Sequence, residues 1–160
     1  LERLGYEIEK INLDDVYQRF FFFFDNKIAI SDDDLLFLMS NSDESAYKNG
    51  YKLNLLHVVC GDNDKPNAHI KLQHNGEEKE ASATGNGPVN ATVNAITSII
   101  GKIIELKEFT IQAMHGGSDD VSKVNMRVVF EGKSYQGYGF STDIIKASAN
   151  AYLDAINKFL

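Results

Sequence analysis

Two glycine-containing segments of this sequence have the residue types and spacing to bind a small anion. Residues 85–90 read Gly-Asn-Gly-Pro-Val-Asn, and residues 137–144 read Gly-Tyr-Gly-Phe-Ser-Thr-Asp-Ile. Apolar residues at helical spacing follow each segment, which predicts two strand-to-helix junctions, with Pro88 at the first position of one helix and Ser141 or Thr142 opening the other. Because a helix N-terminus offers unpaired backbone N–H groups and a positive dipole end, a carboxylate is a suitable ligand for either junction. Glycines that only form a turn are the alternative interpretation.

The other reactive side chains show no local pattern typical of an active site or a cofactor site. The two segments lack the third glycine of a dinucleotide fingerprint and the Lys-Ser/Thr of a phosphate loop. The four histidines, at positions 57, 69, 74 and 115, have no HxxxH or HxH spacing, so a surface location is favoured over metal binding. Since local spacing yields neither a Ser-His-Asp nor a paired-carboxylate arrangement, we predict no catalytic residue, no cofactor and no metal within the chain, with the convergence of separated residues as the alternative.

The overall composition limits the classes of partner. A formal net charge of −7 argues against nucleic acid and membrane surfaces, because phosphate groups are bound by clustered Lys and Arg. The single cysteine, Cys60, cannot form an internal disulfide, and no apolar run reaches the length of a membrane span, so a cytoplasmic location is expected. With 160 residues, 43% of them hydrophobic, the chain can form one globular domain with a short extension.

An internal repeat organises the sequence after residue 50. Residues 69–84 align with residues 125–140, so that Asn75-Gly76 and Glu131-Gly132 occupy the same two-residue hairpin turn. Each half also begins with a strand, near 53–60 and near 109–114, and ends with a helix. The sequence therefore predicts two βββα units, and the predicted fold class is α+β. Because one unit alone would leave its sheet face uncovered, we expect the two to pack together with pseudo-symmetry.

The N-terminal part has a different pattern. Residues 1–39 predict two short helices, the first capped by Asn12 and the second by Ser31 with Asp34. A polar stretch then reads as a linker. The predicted organisation is an accessory segment at 1–39, a linker at 40–50 and a domain at 51–160, with repeat 1 at about 51–101 and repeat 2 at about 106–160.

Two runs of residues resemble a known family. The run Ala83-Thr-Gly-Asn-Gly-Pro-Val-Asn-Ala91 and the run Gly137-Tyr-Gly-Phe-Ser-Thr-Asp-Ile-Ile-Lys-Ala-Ser148 are similar to the C-terminal domain shared by α-isopropylmalate synthase and citramalate synthase. Residues 1–39 resemble the helical linker region that joins this domain to a catalytic barrel. The resemblance implies a parent acyltransferase that condenses acetyl-CoA with an α-keto acid on a divalent-metal-dependent barrel outside this chain. It also implies that the chain itself forms a homodimer, binds an end-product amino acid and is inactive alone.

The resemblance further implies where the amino-acid effector binds. In the family the effector lies between the pseudo-symmetric halves, against positions that correspond here to Asn86, Val89, Asn90, Leu106, Phe109, Ala113, Val121, Thr142 and Ile144. The apolar members of this set could line a socket for a branched side chain, and the junction amides with Asn90 could hold the head group. Core packing is the alternative role for the apolar members.

Two departures from the family carry consequences. The family commonly has Asp where this chain has Asn90, and a carboxylate there would pair with the ammonium group of the effector, so weaker feedback inhibition is expected. The run Phe20 to Phe24 replaces charged residues, and five consecutive phenylalanines cannot all face one side of a helix. Some of them are therefore expected to be exposed or to contact the barrel.

Leucine is favoured over isoleucine as the effector. Citramalate-type relatives tend to have larger side chains at the positions of Val89 and Ala113, so the socket here resembles the isopropylmalate type. Three functions remain open on the sequence. They are a leucine-binding regulatory domain, with an isoleucine-binding domain of the citramalate type as its close variant; a catalytic fragment or small free-standing enzyme; and a dimerisation module that binds no effector.

Overall fold

The computed structural model describes residues 1–24, 29–40, 47–113 and 120–160 of the protein. These residues form four α-helices, six strands and two single-turn 3-10 helices. The helices are α1 (Leu13–Phe24), α2 (Asp32–Ser40), α3 (Pro88–Ile100) and α4 (Ile144–Asn157), and the 3-10 turns are Glu2–Leu4 and Ile8–Lys10. The strands are β1 (Lys52–Val59), β2 (Asn67–His74), β3 (Glu77–Thr84), β4 (Glu105–Ala113), β5 (Ser122–Phe130) and β6 (Lys133–Ser141).

The strands of the described ranges form two antiparallel sheets, ordered β1-β2-β3 and β4-β5-β6, and a helix follows each sheet. The predicted α+β class and its two βββα units are confirmed. The two hairpin turns also match, because Asn75 and Gly76 have φ angles of 51° and 79°, and Glu131 and Gly132 have φ angles of 49° and 77°. Positive φ at both central residues is what a two-residue turn of this type requires.

The first strand of each unit carries the same irregularity. The register shifts between Leu53 and Leu55 in β1 and between Leu106 and Glu108 in β4. One extra residue in a strand changes the side of the sheet that later residues face. The bulge breaks the apolar alternation by which a strand is recognised in a sequence. For this reason the sequence predicted a strand starting near Phe109, whereas β4 begins at Glu105.

One hydrophobic core joins the two units. Alternate residues of the two central strands are fully buried, namely Ala68, Ile70, Leu72, Val124, Met126 and Val128. Helix α3 packs on β2 and β3, helix α4 packs on β5 and β6, and the two helices contact each other. The hydroxyl oxygens of Thr97 and Tyr152 lie 2.8 Å apart across this helix contact. Buried residues of both units belong to the same cluster, so the predicted packing of the two units is confirmed.

Helix α4 lies very close to strand β6. A Cβ atom added at Gly137 would overlap the backbone of Ala151 and Ala155, and one added at Gly139 would overlap the backbone of Ala147 and Ala151. Glycine in a strand interior commonly marks such a close approach of another backbone. The contact leaves little room for α4 to shift relative to β6.

The cap of helix α4 differs from the sequence prediction. Asp143, rather than Ser141 or Thr142, is the N-cap residue, and its side chain accepts hydrogen bonds from the backbone N–H groups of Ile145 and Lys146. Ser, Thr and Asp are all favoured at this position, so the sequence did not distinguish among three adjacent candidates.

The N-terminal segment packs on the second unit through its own apolar cluster. The buried members of this cluster are Tyr6, Ile11, Val16, Leu36, Leu38, Met39, Tyr47 and Phe140. Helix α1 begins directly after Asn12, and the capping pair before α2 is confirmed, since Ser31 N–H donates to Asp34 Oδ2 and Asp34 N–H donates to Ser31 Oγ.

In the phenylalanine run, Phe20 packs against the cluster and Phe21 is 46% exposed, while the side chains of 22–24 lie outside the described residues. No helix of the described residues is long and apolar enough to cross a membrane.

Candidate functional site

One end of the second sheet gathers part of the predicted site. The register pairs Ala113 with Ser122 and Ser122 with Ser141, so the end of β4, the start of β5 and the end of β6 meet. The residues just outside these strands lie at the same end. This end of the sheet therefore holds four of the predicted site residues, namely Ala113, Val121, Thr142 and Ile144.

Two further predicted residues, Leu106 and Phe109, lie along strand β4. Pairing with buried positions of β5 puts them on the helix-covered side of the sheet together with Ile111, and we call these three side chains the β4 apolar face. Although they lie on the helix-covered side, these side chains remain partly accessible to solvent, with Leu106 36% exposed, Phe109 38% and Ile111 45%. At about 3.3 Å per residue, Leu106 lies about 23 Å along the strand from Ala113. A single amino acid held by one chain therefore cannot contact both ends of the predicted set.

The remaining predicted residues, Asn86, Val89 and Asn90, lie at the junction between β3 and α3. The Asn90 Oδ1 atom accepts a hydrogen bond of 3.0 Å from the backbone N–H of Asn86. A Cβ atom at Gly85 would overlap both Asn90 Oδ1 and the backbone of Ala91. Asn90 therefore holds the loop in place through its side-chain oxygen, a structural role that the sequence did not reveal.

The two junctions differ in what faces each helix N-terminus. Helix α3 is preceded by Gly87, and no side chain forms a capping hydrogen bond there, so its first N–H groups are suited to an anionic ligand. Helix α4 already has the Asp143 carboxylate at this position. A carboxylate ligand, predicted for either junction, thus fits the first junction only. At the second junction the Asp143 carboxylate already occupies the place that an anionic ligand would take.

A buried charged cluster near the end of α4 was not predicted from the sequence. The side chains of Asp154 and Lys158 are each 4% exposed, with Asp154 Oδ2 3.5 Å from Lys158 Nζ. Asp154 also accepts hydrogen bonds from the hydroxyls of Tyr6, at 3.1 Å, and Tyr47, at 2.8 Å. We call these four residues the Asp154 cluster. The two tyrosines lie 148 and 107 positions away from Asp154, so no local pattern could have revealed it.

Burial changes the acid–base behaviour of this cluster. Desolvation, followed by the charge of Asp154, raises the pKa of the Tyr6 and Tyr47 hydroxyls well above the ordinary value for tyrosine. Desolvation lowers the pKa of Lys158, and the Asp154 carboxylate opposes this change. The tyrosines therefore stay protonated and act as hydrogen-bond donors to Asp154 across the physiological pH range.

The histidines do not assemble a metal centre in the described part of the chain. His57 lies opposite His69 on β1 and β2, and His69 Nδ1 is 2.8 Å from Ser82 Oγ. His115 lies outside the described residues. Within residues 1–24, 29–40, 47–113 and 120–160, no group of three or more His, Cys, Asp or Glu side chains is placed to hold a metal ion.

Comparison with known proteins identifies the family of the chain. Residues 29–160 match the LeuA allosteric (dimerisation) domain. The chain is similar to the 2-isopropylmalate synthase of Parabacteroides distasonis, with 40% identity over 161 residues, which covers 100% of this chain and 32% of the relative. It is also similar to the enzymes of that name from Campylobacter jejuni subsp. jejuni, with 40% identity over 157 residues covering 98% and 30%, and Aquifex aeolicus, with 37% identity over 160 residues covering 99% and 31%. The chain thus spans about a third of the length of the curated relatives it matches.

The fold and the matched range together define a class of protein, namely a paired βββα domain found within a larger synthase. The chain belongs to the LeuA allosteric (dimerisation) domain family. Its curated relatives are 2-isopropylmalate synthases, which are transferases.

Proposed function

We propose that this chain is the regulatory domain of a 2-isopropylmalate synthase and that it binds leucine as a feedback inhibitor of leucine biosynthesis. The proposal rests on two similarities taken together, one to a domain family and one to whole enzymes. An allosteric domain family covers residues 29–160, and synthases named for a leucine precursor align with the whole chain. Leucine, as the end product of the pathway, is the effector that best fits both the allosteric domain family and the synthases.

Each of the two parts of the predicted site suits one part of an amino acid. The uncapped N-terminus of α3 suits the carboxylate of leucine, and the sheet end around Ala113 and Val121 offers apolar contacts for its branched side chain. Leucine is preferred over isoleucine because Val89 and Ala113 resemble the isopropylmalate type of site, whereas the citramalate type has larger side chains at these positions.

A homodimer is the second part of the proposal. The β4 apolar face belongs to an edge strand, and exposed apolar side chains on an edge strand invite pairing with another chain. A second copy that presents the same face would cover Leu106 and Phe109 in both chains through one symmetric interface. These two residues, distant from Ala113, then serve the dimer contact, while the sheet end serves leucine.

The condensation of acetyl-CoA with an α-keto acid is assigned to a catalytic barrel outside this chain, together with any divalent metal that it uses. We therefore expect no turnover of acetyl-CoA by the chain alone. Turnover by the purified 160-residue chain would favour the catalytic-fragment hypothesis instead.

Isothermal titration calorimetry with leucine, isoleucine and valine tests the binding proposal. We expect leucine to bind at least about tenfold more tightly than isoleucine, since a hydrophobic pocket separates such isomers by roughly 1 to 3 kcal/mol. A preference for isoleucine would assign the domain to the citramalate type. Absence of heat with all three amino acids would reduce the chain to a dimerisation module.

A further inference from the structure

The Asp154 cluster ties three separate parts of the chain to the end of helix α4. Tyr6 comes from the N-terminal segment and Tyr47 from the residues before β1, while the backbone N–H of Tyr138 in β6 donates to Asp154 Oδ2 at 3.0 Å. Lys158 Nζ donates to the backbone oxygen of Gln136 at 2.6 Å and lies 4.1 Å from the centre of the Tyr6 ring. The N-terminal segment is therefore attached to the second unit by polar contacts that are specific in geometry.

These contacts favour an all-or-none attachment. A buried charge that loses one partner is left incompletely compensated, which is strongly unfavourable compared with the intact arrangement. When the two tyrosines leave, Asp154 and Lys158 must be hydrated instead, and the apolar cluster around Tyr6 opens to solvent. The structure has the closed arrangement, with buried hydrogen bonds, and the alternative to it is an open arrangement with hydrated groups.

Helix α4 connects this cluster to the proposed leucine site. The helix begins at Ile144, a predicted effector contact, and Asp154 follows ten positions later, about 15 Å along the helix axis. The close contacts of Gly137 and Gly139 hold α4 against β6 along this length, so the helix and the strand move together. A displacement at the start of α4 therefore shifts α4 with β6, and it changes the position of Asp154 relative to Tyr6 and Tyr47.

We propose that the Asp154 cluster is the joint through which leucine binding is transmitted to the N-terminal segment, residues 1–24. This inference rests on the proposed function, because it takes leucine at the start of α4 as the input. Leucine stabilises the closed state of the cluster. Tyr6 lies on residues 1–24 and Tyr47 forms a backbone bridge with Ile11 of that segment, so the two tyrosines are the positioning residues that link α4 to it.

Linkage gives this proposal a quantitative form. If leucine favours the closed state by a given factor, then opening the cluster must weaken leucine binding by up to the same factor. A cluster that only stabilises the fold has no such link, because its loss would loosen residues 1–24 without changing the affinity for leucine. Affinity and local opening must therefore be measured in the same variants.

The test compares the unmodified chain with the double variant Tyr6→Phe/Tyr47→Phe, which removes both hydroxyls and keeps both rings. Tyr17→Phe is the matched control, because Tyr17 lies on α1 in the same segment and is 61% exposed. Amide hydrogen exchange of residues 1–24, with and without saturating leucine, reports the opening of the segment. Calorimetry on the same samples gives the dissociation constant, and near-UV circular dichroism verifies that the core is folded.

In the unmodified chain and in Tyr17→Phe, we expect leucine to slow exchange in residues 1–24 by about fivefold or more, the lower end of typical allosteric coupling. In the double variant, this protection should be lost and leucine should bind more weakly by up to the same factor. Two results would contradict the proposed role of the Asp154 cluster and leave the proposed function standing. In the first, leucine binds to the unmodified chain without changing the amide exchange of residues 1–24. In the second, the double variant has the same affinity for leucine and the same protection by leucine as the unmodified chain. If the unmodified chain does not bind leucine at all, the proposed function fails and this inference fails with it.

Discussion

Strands β1 and β4 are equivalent in the two units, yet their apolar side chains have different surroundings. Both strands carry a bulge after their first apolar residue, and Leu53, Leu56 and Val58 in β1 correspond to Leu106, Phe109 and Ile111 in β4. The three residues of β1 pack against the main core. Those of β4 are each more than a third exposed.

The difference arises from the way in which the two units pack. Helices α3 and α4 both contact β1, so the apolar side of this strand is covered by helices of both units. The same local pattern in β4 extends beyond the helix that covers β5 and β6. A repeat therefore predicts which residues are apolar and on which side they lie, but the packing of whole units decides which of them remain available for a partner.

The largest expected effect is at the β4 apolar face. Phe109→Asp should weaken dimerisation by at least about thirtyfold, because the loss of a central aromatic hot-spot contact costs about 2 kcal/mol or more. Thr110→Asp is the control, since Thr110 is also exposed but points to the other side of the sheet. Sedimentation velocity measures both. A dimer that tolerates aspartate at position 109 would show that this face is not the interface.

The equivalent residue of β1 should affect stability instead. Leu56→Ala is expected to lower the free energy of unfolding by about 2 kcal/mol, the lower range for buried leucine, because Leu56 packs against the core but is only partly buried. Leu55→Ala, on the exposed side of the same strand, should cost less than about 1 kcal/mol. Urea denaturation at one protein concentration compares the two. Equal losses would mean that the two sides of β1 do not differ as described.

The ends of the two strands provide the next test. Ala113→Ile should weaken leucine binding by roughly 1 to 3 kcal/mol, because the added atoms fill space that the leucine side chain needs. Cys60, exposed just after β1, corresponds to Ala113 in the repeat, and Cys60→Ile is the control that should leave binding unchanged. Calorimetry with leucine distinguishes them. If both variants bind leucine like the unmodified chain, the socket lies elsewhere.

The smallest expected effect concerns the first junction. Asn90→Ala removes the acceptor for the Asn86 N–H and should destabilise the domain by about 1 kcal/mol. Asn90→Asp keeps an acceptor oxygen and adds a charge, so it should preserve stability and bind leucine more tightly through the ammonium group. Thermal unfolding and calorimetry together test this pair. Tighter binding in the alanine variant would contradict the role given to Asn90.

The sequence was sufficient for features that depend on neighbouring residues. The Asn75-Gly76 and Glu131-Gly132 turns, the Ser31-Asp34 capping pair and Pro88 at the start of α3 are all found as predicted, because each is determined by the chemistry of a few adjacent residues. The repeat then led to the correct order of strands and helices.

Features that depend on distant residues could not be predicted in the same way. Asp154 is a polar residue within an apolar helix, and only the fold brings Tyr6 and Tyr47 to it. The exposure of Phe109 follows from the placement of α3 and α4 rather than from its own strand. For the candidate site, the sequence led to the junctions and the resemblance to the residue set, while the division of that set along β4 came from the register.

Sedimentation equilibrium of the unmodified chain tests most directly the claim that two copies associate, as the exposed β4 apolar face indicates. We predict a homodimer at tens of micromolar protein, a concentration well above the dissociation constants of ordinary stable dimers. A single species with the 17.9 kDa mass of one chain at that concentration would contradict the account.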